Sequence, residues 1–203
     1  RQGSGRIVRL LQRRNPVPEA LRRALPPADR ILAGVRTLDG RMLAASRFGL
    51  WFVAEGAAEC WDWHLISKAR LADGAMYVTV VDVVETWPDG TVVVRDRPEV
   101  TIRPQYSTRL TDVVHQRVRR SVAASRRLDW TGAGAWVALR RVAGHAGPAV
   151  QVRLDPGADA AAAGFAAAVV AVTGELWPAE VPGGPGGAAG PDGPDGPSGL
   201  ASS

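Results

Sequence analysis

Three side chains capable of chemistry stand close together in the stretch ECWDWHLISKAR, residues 59 to 70: Cys60, Asp62 and His64. They occupy every second position, with Trp61 and Trp63 between them, and in a β-strand that spacing lines one face with all three. Cys, His and carboxylate are all zinc ligands. Structural zinc takes four, however, and no second Cys/His pair is within reach by spacing: His115 falls in an expected helix and His145 in a Gly-rich loop. A Cys–His nucleophile and base fit less well still. Along a strand four residues span roughly 13 Å, beyond the hydrogen-bond reach such a pair needs. Alternation with Trp61, Trp63 and Leu65 is what an ordinary half-buried strand shows, and that reading is preferred. It gives a Trp-rich inner face backed by a polar outer one, and no metal, cofactor or catalytic residue is expected.

The other residues able to engage a partner are arginines. Of the 25 Lys and Arg side chains only Lys68 is a lysine, and the formal net charge is +5. Residues 1 to 30 hold eight Arg against Glu19 and Asp29, so they carry +6 and the rest of the chain −1. Arg6, Arg9, Arg13 and Arg14, with Arg1 before them, surround Ile7, Val8, Leu10 and Leu11 on an expected short helix over 5 to 15. Such a helix can dock on the domain or on a protein partner, lie on an anionic membrane, or contact nucleic-acid phosphates through guanidinium bonds. Arg117, Arg119 and Arg120, followed by Arg126 and Arg127, form a second cluster, most simply a solvated helix face. No aromatic residues are interleaved with either cluster, which argues against a stacking platform for single strands. So strong an Arg bias, beside abundant Ala, Gly and Pro, also fits GC-rich coding, and the basic balance alone does not make a nucleic-acid binder. Gly3-Ser4-Gly5 lacks the preceding strand and the Lys-Ser/Thr ending of a phosphate loop; HExxH, GxSxG, paired CxxC and kinase-like motifs are absent.

These residues need a scaffold, and the composition allows one. At 203 residues, 46% hydrophobic and 22% charged, the chain can bury a sizeable core. One cysteine excludes an intrachain disulfide, in keeping with a cytoplasmic location. The chain opens on Arg1 rather than Met, which leaves a cleaved targeting segment open. The longest apolar run, 160 to 172, is mostly Ala and falls short of the roughly 20 residues a spanning helix needs. Within it and just beyond, Phe165, Val169, Val172 and Leu176 recur at helical spacing, which predicts a helix over about 158 to 177 packing one stripe onto a sheet. The ending GGPGGAAGPDGPDGPSGLASS is too poor in apolar bulk to offset its ordering entropy and is expected to be disordered.

Local signals fill in the rest. PEALRRAL is expected to be a short helix, with Pro18 suited to the first turn and Pro26 ending it. Asp39-Gly40, Asp73-Gly74 and Asp89-Gly90 each separate strand-like runs, and this dipeptide favours a two-residue type I′ hairpin turn. An antiparallel meander over about 30 to 103 follows. GLWFVA is apolar on both faces, as a buried strand is, whereas TVVVRD and EVTIR alternate as half-exposed strands do. Leu110, Val113, Val114 and Val118 share one face of a helix over 107 to 119 that Ser107 or Thr108 can cap. Residues 120 to 129 fit either a helix or a strand. GAWVALRRV and AVQVRLD are expected strands joined by AGHAGP.

A meander containing GLWFV and then WHLISKA, closed later by a helix, resembles the bacterial pleckstrin-homology-like (PH-like) domains, in which an apolar hairpin is followed by an aromatic, a hydrophobic and a small residue, here Trp63, Ile66 and Ala69. NPVPEALRRAL, HQRVRRSVAAS and the late LDPG are similar to a group of such proteins from high-GC bacteria. The resemblance runs over most of residues 15 to 177 on short motifs. It implies an α+β fold: an antiparallel PH-like β-sandwich or partly open barrel with a closing C-terminal helix and an N-terminal helical arm. The expected organisation is a basic helical arm over 1–28, the domain over 29–178, decorated or duplicated from 107, and a tail over 179–203. The family implies binding of lipid head groups, peptides or proteins and supplies no catalytic residues. The expected function is therefore non-enzymatic binding or scaffolding of a protein or anionic-lipid ligand. A nucleic-acid-associated protein using the Arg-rich arm is the alternative, and an enzyme without a recognisable motif comes third. The expected contact residues are Arg6, Arg9, Arg13, Arg14, Arg117, Arg119 and Arg120.

Overall fold

The structure is a computed structural model that describes residues 17–105 and 109–177. The expected arm helix with Arg6, Arg9, Arg13 and Arg14, the capping positions Ser107 and Thr108, and the tail over 179–203 lie outside the described residues.

The first described helix, α1, spans Glu19–Ala24 with Pro18 at its N-cap, where a missing N–H is harmless. Four strands follow as consecutive hairpins: β1 Ile31–Arg36, β2 Met42–Ser46, β3 Gly49–Ala54 and β4 Ala57–Asp62. They form one antiparallel sheet in that order. A single 3-10 turn, Trp63–Leu65, then leads into β5 Ile66–Ala72, β6 Ala75–Thr86, β7 Val92–Asp96 and β8 Val100–Ile102. After α2 Arg109–Ser121 come β9 Val122–Leu128, β10 Ala135–Arg141, β11 Pro148–Leu154 and α3 Phe165–Leu176. The second sheet runs β5-β6-β7-β11-β10-β9, with β8 beside β6. The protein is thus α+β with mostly β content.

All three Asp-Gly positions are hairpins, but only one has the expected turn. Asp73 and Gly74 both have positive φ (51° and 71°), as type I′ requires. At the other two, Gly40 N donates to Thr37 O and Thr37 N to Arg41 O, and Gly90, Trp87 and Thr91 repeat the pattern. These are three-residue loops in which only the glycine is left-handed. The aspartates accept from the chain two residues on, Asp39 from Arg41 N and Asp89 from Thr91 N and Oγ1. A further type I′ turn, Glu55-Gly56, joins β3 to β4.

The opening stretch is not one strand. β4 ends at Asp62, the 3-10 turn carries Trp63 and His64, and β5 begins at Ile66 in the other sheet. Trp63 still points inward because its indole N–H donates to Ser46 O at 3.2 Å inside the core, so the period-two appearance survives across a break in the strand. Residues 120 to 129 hold both: α2 stops at Ser121 and β9 runs from the β-branched Val122 to Leu128.

Three apolar clusters hold the layers. The first joins Val35, Leu43, Leu50, Trp63, Ile66 and Val78 to the expected α2 stripe Leu110, Val113, Val114 and Val118. The second places Phe165 and Val169 of α3 on β7, β9, β10 and β11, with Val172 and Leu176 partly buried. The third tucks Leu21 of α1 against Met42, Trp51, Val53 and Cys60. The helix closing the first core is therefore α2, while the C-terminal helix seals the second and starts at Phe165 rather than near 158. β6 serves both: its first half pairs with β5 and β8, its second with β7. Antiparallel pairing is not universal either, because β11 lies parallel to β7, register Val152↔Val93. No helix among the described residues is long and apolar enough to cross a membrane.

Candidate anion-binding cleft

Three elements bring cationic groups to one concavity. The first is the β2–β3 turn. Ser46, fully buried, accepts hydrogen bonds at Oγ from Phe48 N (3.2 Å), Gly49 N (3.1 Å) and Trp51 Nε1 (3.1 Å), fixing the turn that presents Arg47. Asp29 Oδ1 accepts from Arg47 N at 2.9 Å and holds the same turn from outside, while its Oδ2 is buried without a hydrogen-bond partner among the described residues. The second is the last turns of α2, where Arg117 and Arg120 project from the helix whose apolar stripe is pinned in the first core. The third is the end of β10, with Arg140 and Arg141.

Consecutive residues of a strand face opposite sides, so one of these two arginines goes inward. Arg140 is 5% exposed and, among the described residues, has no carboxylate partner. It donates to Gln151 Oε1 (3.0 Å), Ser121 Oγ (2.8 Å) and Ile66 O (3.4 Å), and burial pulls its pKa down to about 10, with Arg153 adding to the effect. Gln151 Nε2 in turn donates to His64 O at 3.1 Å, tying the 3-10 turn to β11. Arg141 faces outward and donates to Arg120 O (2.9 Å) and Val122 O (3.4 Å), which satisfies carbonyls at the C-terminus of α2.

Between them lies a cavity of about 220 Å³ walled by Arg47, Arg117, Arg120 and Arg141, with Phe48, Trp63, His64 and Ser121 also lining it. No carboxylate of the described residues lines it. Among the described residues Arg117 and Arg120 make no side-chain hydrogen bond or ion pair, and Arg47 has only a long bond to Ala28 O, 3.4 Å, and lies over the Phe48 ring at 5.8 Å. Burial holds the Arg117 pKa below the ordinary guanidinium value, and Arg120, Arg47 and Arg30 push the same way; Asp29 opposes them and is the smallest contributor. The half-buried Arg117 is therefore repelled by the exposed Arg47 and Arg120 beside it. A wider groove lined by Arg109, Arg119, Arg120, Arg141, His115 and Asp112 adjoins it, sharing Arg120 and Arg141.

The second sequence cluster is thus divided. Arg117 and Arg120 reach the cleft and Arg119 the groove, whereas Arg126 is ion-paired with Glu175, and Arg127 with Asp155 (2.5 Å) and Asp129 (3.3 Å). Cys60, Asp62 and His64 do not form a site. Cys60 packs under α1, where burial, then the neighbouring Asp62, pushes the thiol up to about 12. The sequence leaves open whether this face meets solvent or a covered groove; at Cys60 it is covered by Leu21. His64 is half-buried in the cleft wall with its pKa lowered, first by burial; Asp62 opposes, and Arg140 and His145 add to the lowering. No group of three or more His, Cys, Asp or Glu among the described residues is placed to hold a metal ion.

Sequence reasoning did not single out Arg47, Arg140 or Arg141. A signal existed for the last two, because Arg-Arg within a strand forces one guanidinium inward. Arg47 carries none, since nothing local distinguishes it from a solvated turn residue. Comparison with protein-family models, curated proteins and solved structures gives no match.

Proposed function

We propose that the chain is a non-enzymatic binding module with a PH-like core, whose arginine cleft takes an anionic group of a protein or lipid partner. Element order supports the PH-like reading. β7 and β8 follow the same side of β6, Val81↔Asp96 and Val78↔Val100, with only residues 97–99 between them. Counted as one strand, they complete seven strands ahead of α2, and β9, β10, β11 and α3 are an addition laid along β7. A cytoplasmic location belongs to the same reading.

One observation carries the ligand class: Arg47, Arg117 and Arg120 converge from a turn and a helix on a cleft that no carboxylate of the described residues lines. Like charges held close together, one of them half-buried, are unfavourable, and a bound anion offsets that cost. The test is cosedimentation of the full chain with phosphatidylglycerol vesicles. We expect binding that weakens about tenfold or more in Arg47→Gln/Arg117→Gln/Arg120→Gln, since each charge-assisted bond contributes about 1.5–3 kcal/mol. Equal binding by that variant would exclude the cleft as the contact. Oligonucleotide binding lost only on replacing Arg6, Arg9, Arg13 and Arg14 would favour the nucleic-acid alternative.

A further inference from the structure

We infer that the cleft is the seat of one compact phosphate monoester, gripped by Arg47, Arg117 and Arg120, with the esterified remainder of the ligand running out along the adjoining groove. This rests on the anionic-cleft reading above and narrows it. Size comes first. The cavity, about 220 Å³, is below the roughly 300–1,000 Å³ of pockets that enclose a whole small molecule. It takes a functional group and leaves the rest of its ligand outside.

Charge comes second. Three guanidiniums without ion-pair partners among the described residues line the space, Arg141 adds a fourth edge, and Arg140 sits behind the Ser121 wall with no described acid paired to it. A phosphate monoester brings about −1.5 to −2 charges and three acceptor oxygens at neutral pH, whereas a carboxylate brings one charge and two oxygens. Planar guanidinium forks match phosphate oxygens two at a time.

Hydrogen-bond accounting comes third. The Ser121 hydroxyl gives its proton to Val118 O (2.7 Å) and accepts from Arg140 Nη1 (2.8 Å), so it has no hydrogen for a ligand. Recognition falls to the guanidiniums, which favours charge over a neutral hydroxyl or amide. Geometry sets the direction of exit. Arg120 and Arg141 line both cavities, so the groove carrying Arg119 and Arg109 opens directly beside the phosphate seat. Phosphate monoesters occur as free small molecules and as lipid head groups, and the chemistry of the seat is common to both.

The experiment is titration of the full chain with glycerol 3-phosphate, read from the arginine Nε–Hε resonances, with sulfate and acetate as competitors. We expect saturable binding that moves Arg47, Arg117 and Arg120. Arg117→Gln and Arg120→Gln should each weaken it about tenfold or more, and Arg119→Gln less than about threefold. Arg47→Lys, which keeps the charge and the fold of an exposed turn but loses the fork, should weaken it measurably. Sulfate should compete and acetate should not. Absent saturable binding, acetate competing equally, or Arg119→Gln falling as far as Arg117→Gln would each overturn the inference. Phosphatidylglycerol vesicles bound through Arg47, Arg117 and Arg120 while glycerol 3-phosphate is ignored would sink the monoester and leave the anionic cleft standing; failure of both removes both. Tighter binding to phosphatidic acid vesicles than to glycerol 3-phosphate assigns the lipid source, and equal binding assigns the free compound.

Discussion

Ser46→Ala deletes a single oxygen at the centre of the β2–β3 turn, and its effect can be worked from the contacts. That oxygen is the acceptor for Phe48 N, Gly49 N and Trp51 Nε1 at 3.1–3.2 Å and donates its own proton to Gly49 O at 3.2 Å. A hydroxyl has two acceptor lone pairs, so three donors share the equivalent of two bonds. Ser46 is 0% exposed and Trp51 6%, so no water replaces what is lost. Each orphaned buried donor costs about 1–3 kcal/mol, and two of them bring the expected loss to about 2–6 kcal/mol. This is a large fraction of the roughly 5–15 kcal/mol that holds a domain together. Urea unfolding followed by far-UV circular dichroism measures it. The same turn presents Arg47, so affinity for glycerol 3-phosphate should fall as well although no charge is removed. A stability loss under about 0.5 kcal/mol would refute the hydrogen-bond accounting. A full stability loss with unchanged phosphate affinity would refute the claim that this turn positions Arg47.

Two further outcomes follow from the packing. Phe165, 0% exposed, meets Trp87 and Trp130 edge-on at ring-centroid distances of 6.5 and 5.5 Å; Phe165→Ala should cost about 3–5 kcal/mol by calorimetry, and a loss near 1 kcal/mol would mean α3 does not seal the second core. The Cys60 thiol should label slowly at pH 8 in the folded chain and rapidly in urea. Because its folded pKa, about 12, lies above its ordinary value of 9.0, its contribution to stability is complete below pH 9 and is lost as the pH rises toward 12. Cys60→Ala should flatten that alkaline slope, and fast labelling of the folded protein would place the thiol in water.

Much of the local structure was legible because local chemistry dictates it. The Asp-Gly hairpins, the α2 stripe from Leu110 to Val118 and the α3 stripe from Phe165 to Leu176 all depend on residues within a few positions of one another. What failed depends on distant partners. Whether Cys60 meets solvent or a covered groove stayed open because nothing in its neighbourhood announces that Leu21, far upstream, covers it. The break at the 3-10 turn hid behind a Trp63 that keeps its inward direction. The parallel β7–β11 pair joins segments about sixty residues apart, and no periodicity encodes a choice of partner. The cleft was half visible. Arg117 and Arg120 stood out as part of a cluster, but only Glu175 and Asp155, supplied by the far end of the chain, show which members of that cluster are already neutralised.

Strand β6 is a wall common to two rooms, and this bears on how the chain can be cut or could have grown. A polypeptide stopped at Ser121 would retain the first core and its closing helix, yet it would strip β11 from the outer edge of β7 and uncover Val93, now 0% exposed. Such a bare, β-branched edge is a template for pairing with other chains. The C-terminal addition is therefore not a severable module but a permanent shield, and in supplying Arg141 and the Gln151 strut beneath His64 it also furnishes one side of the cleft.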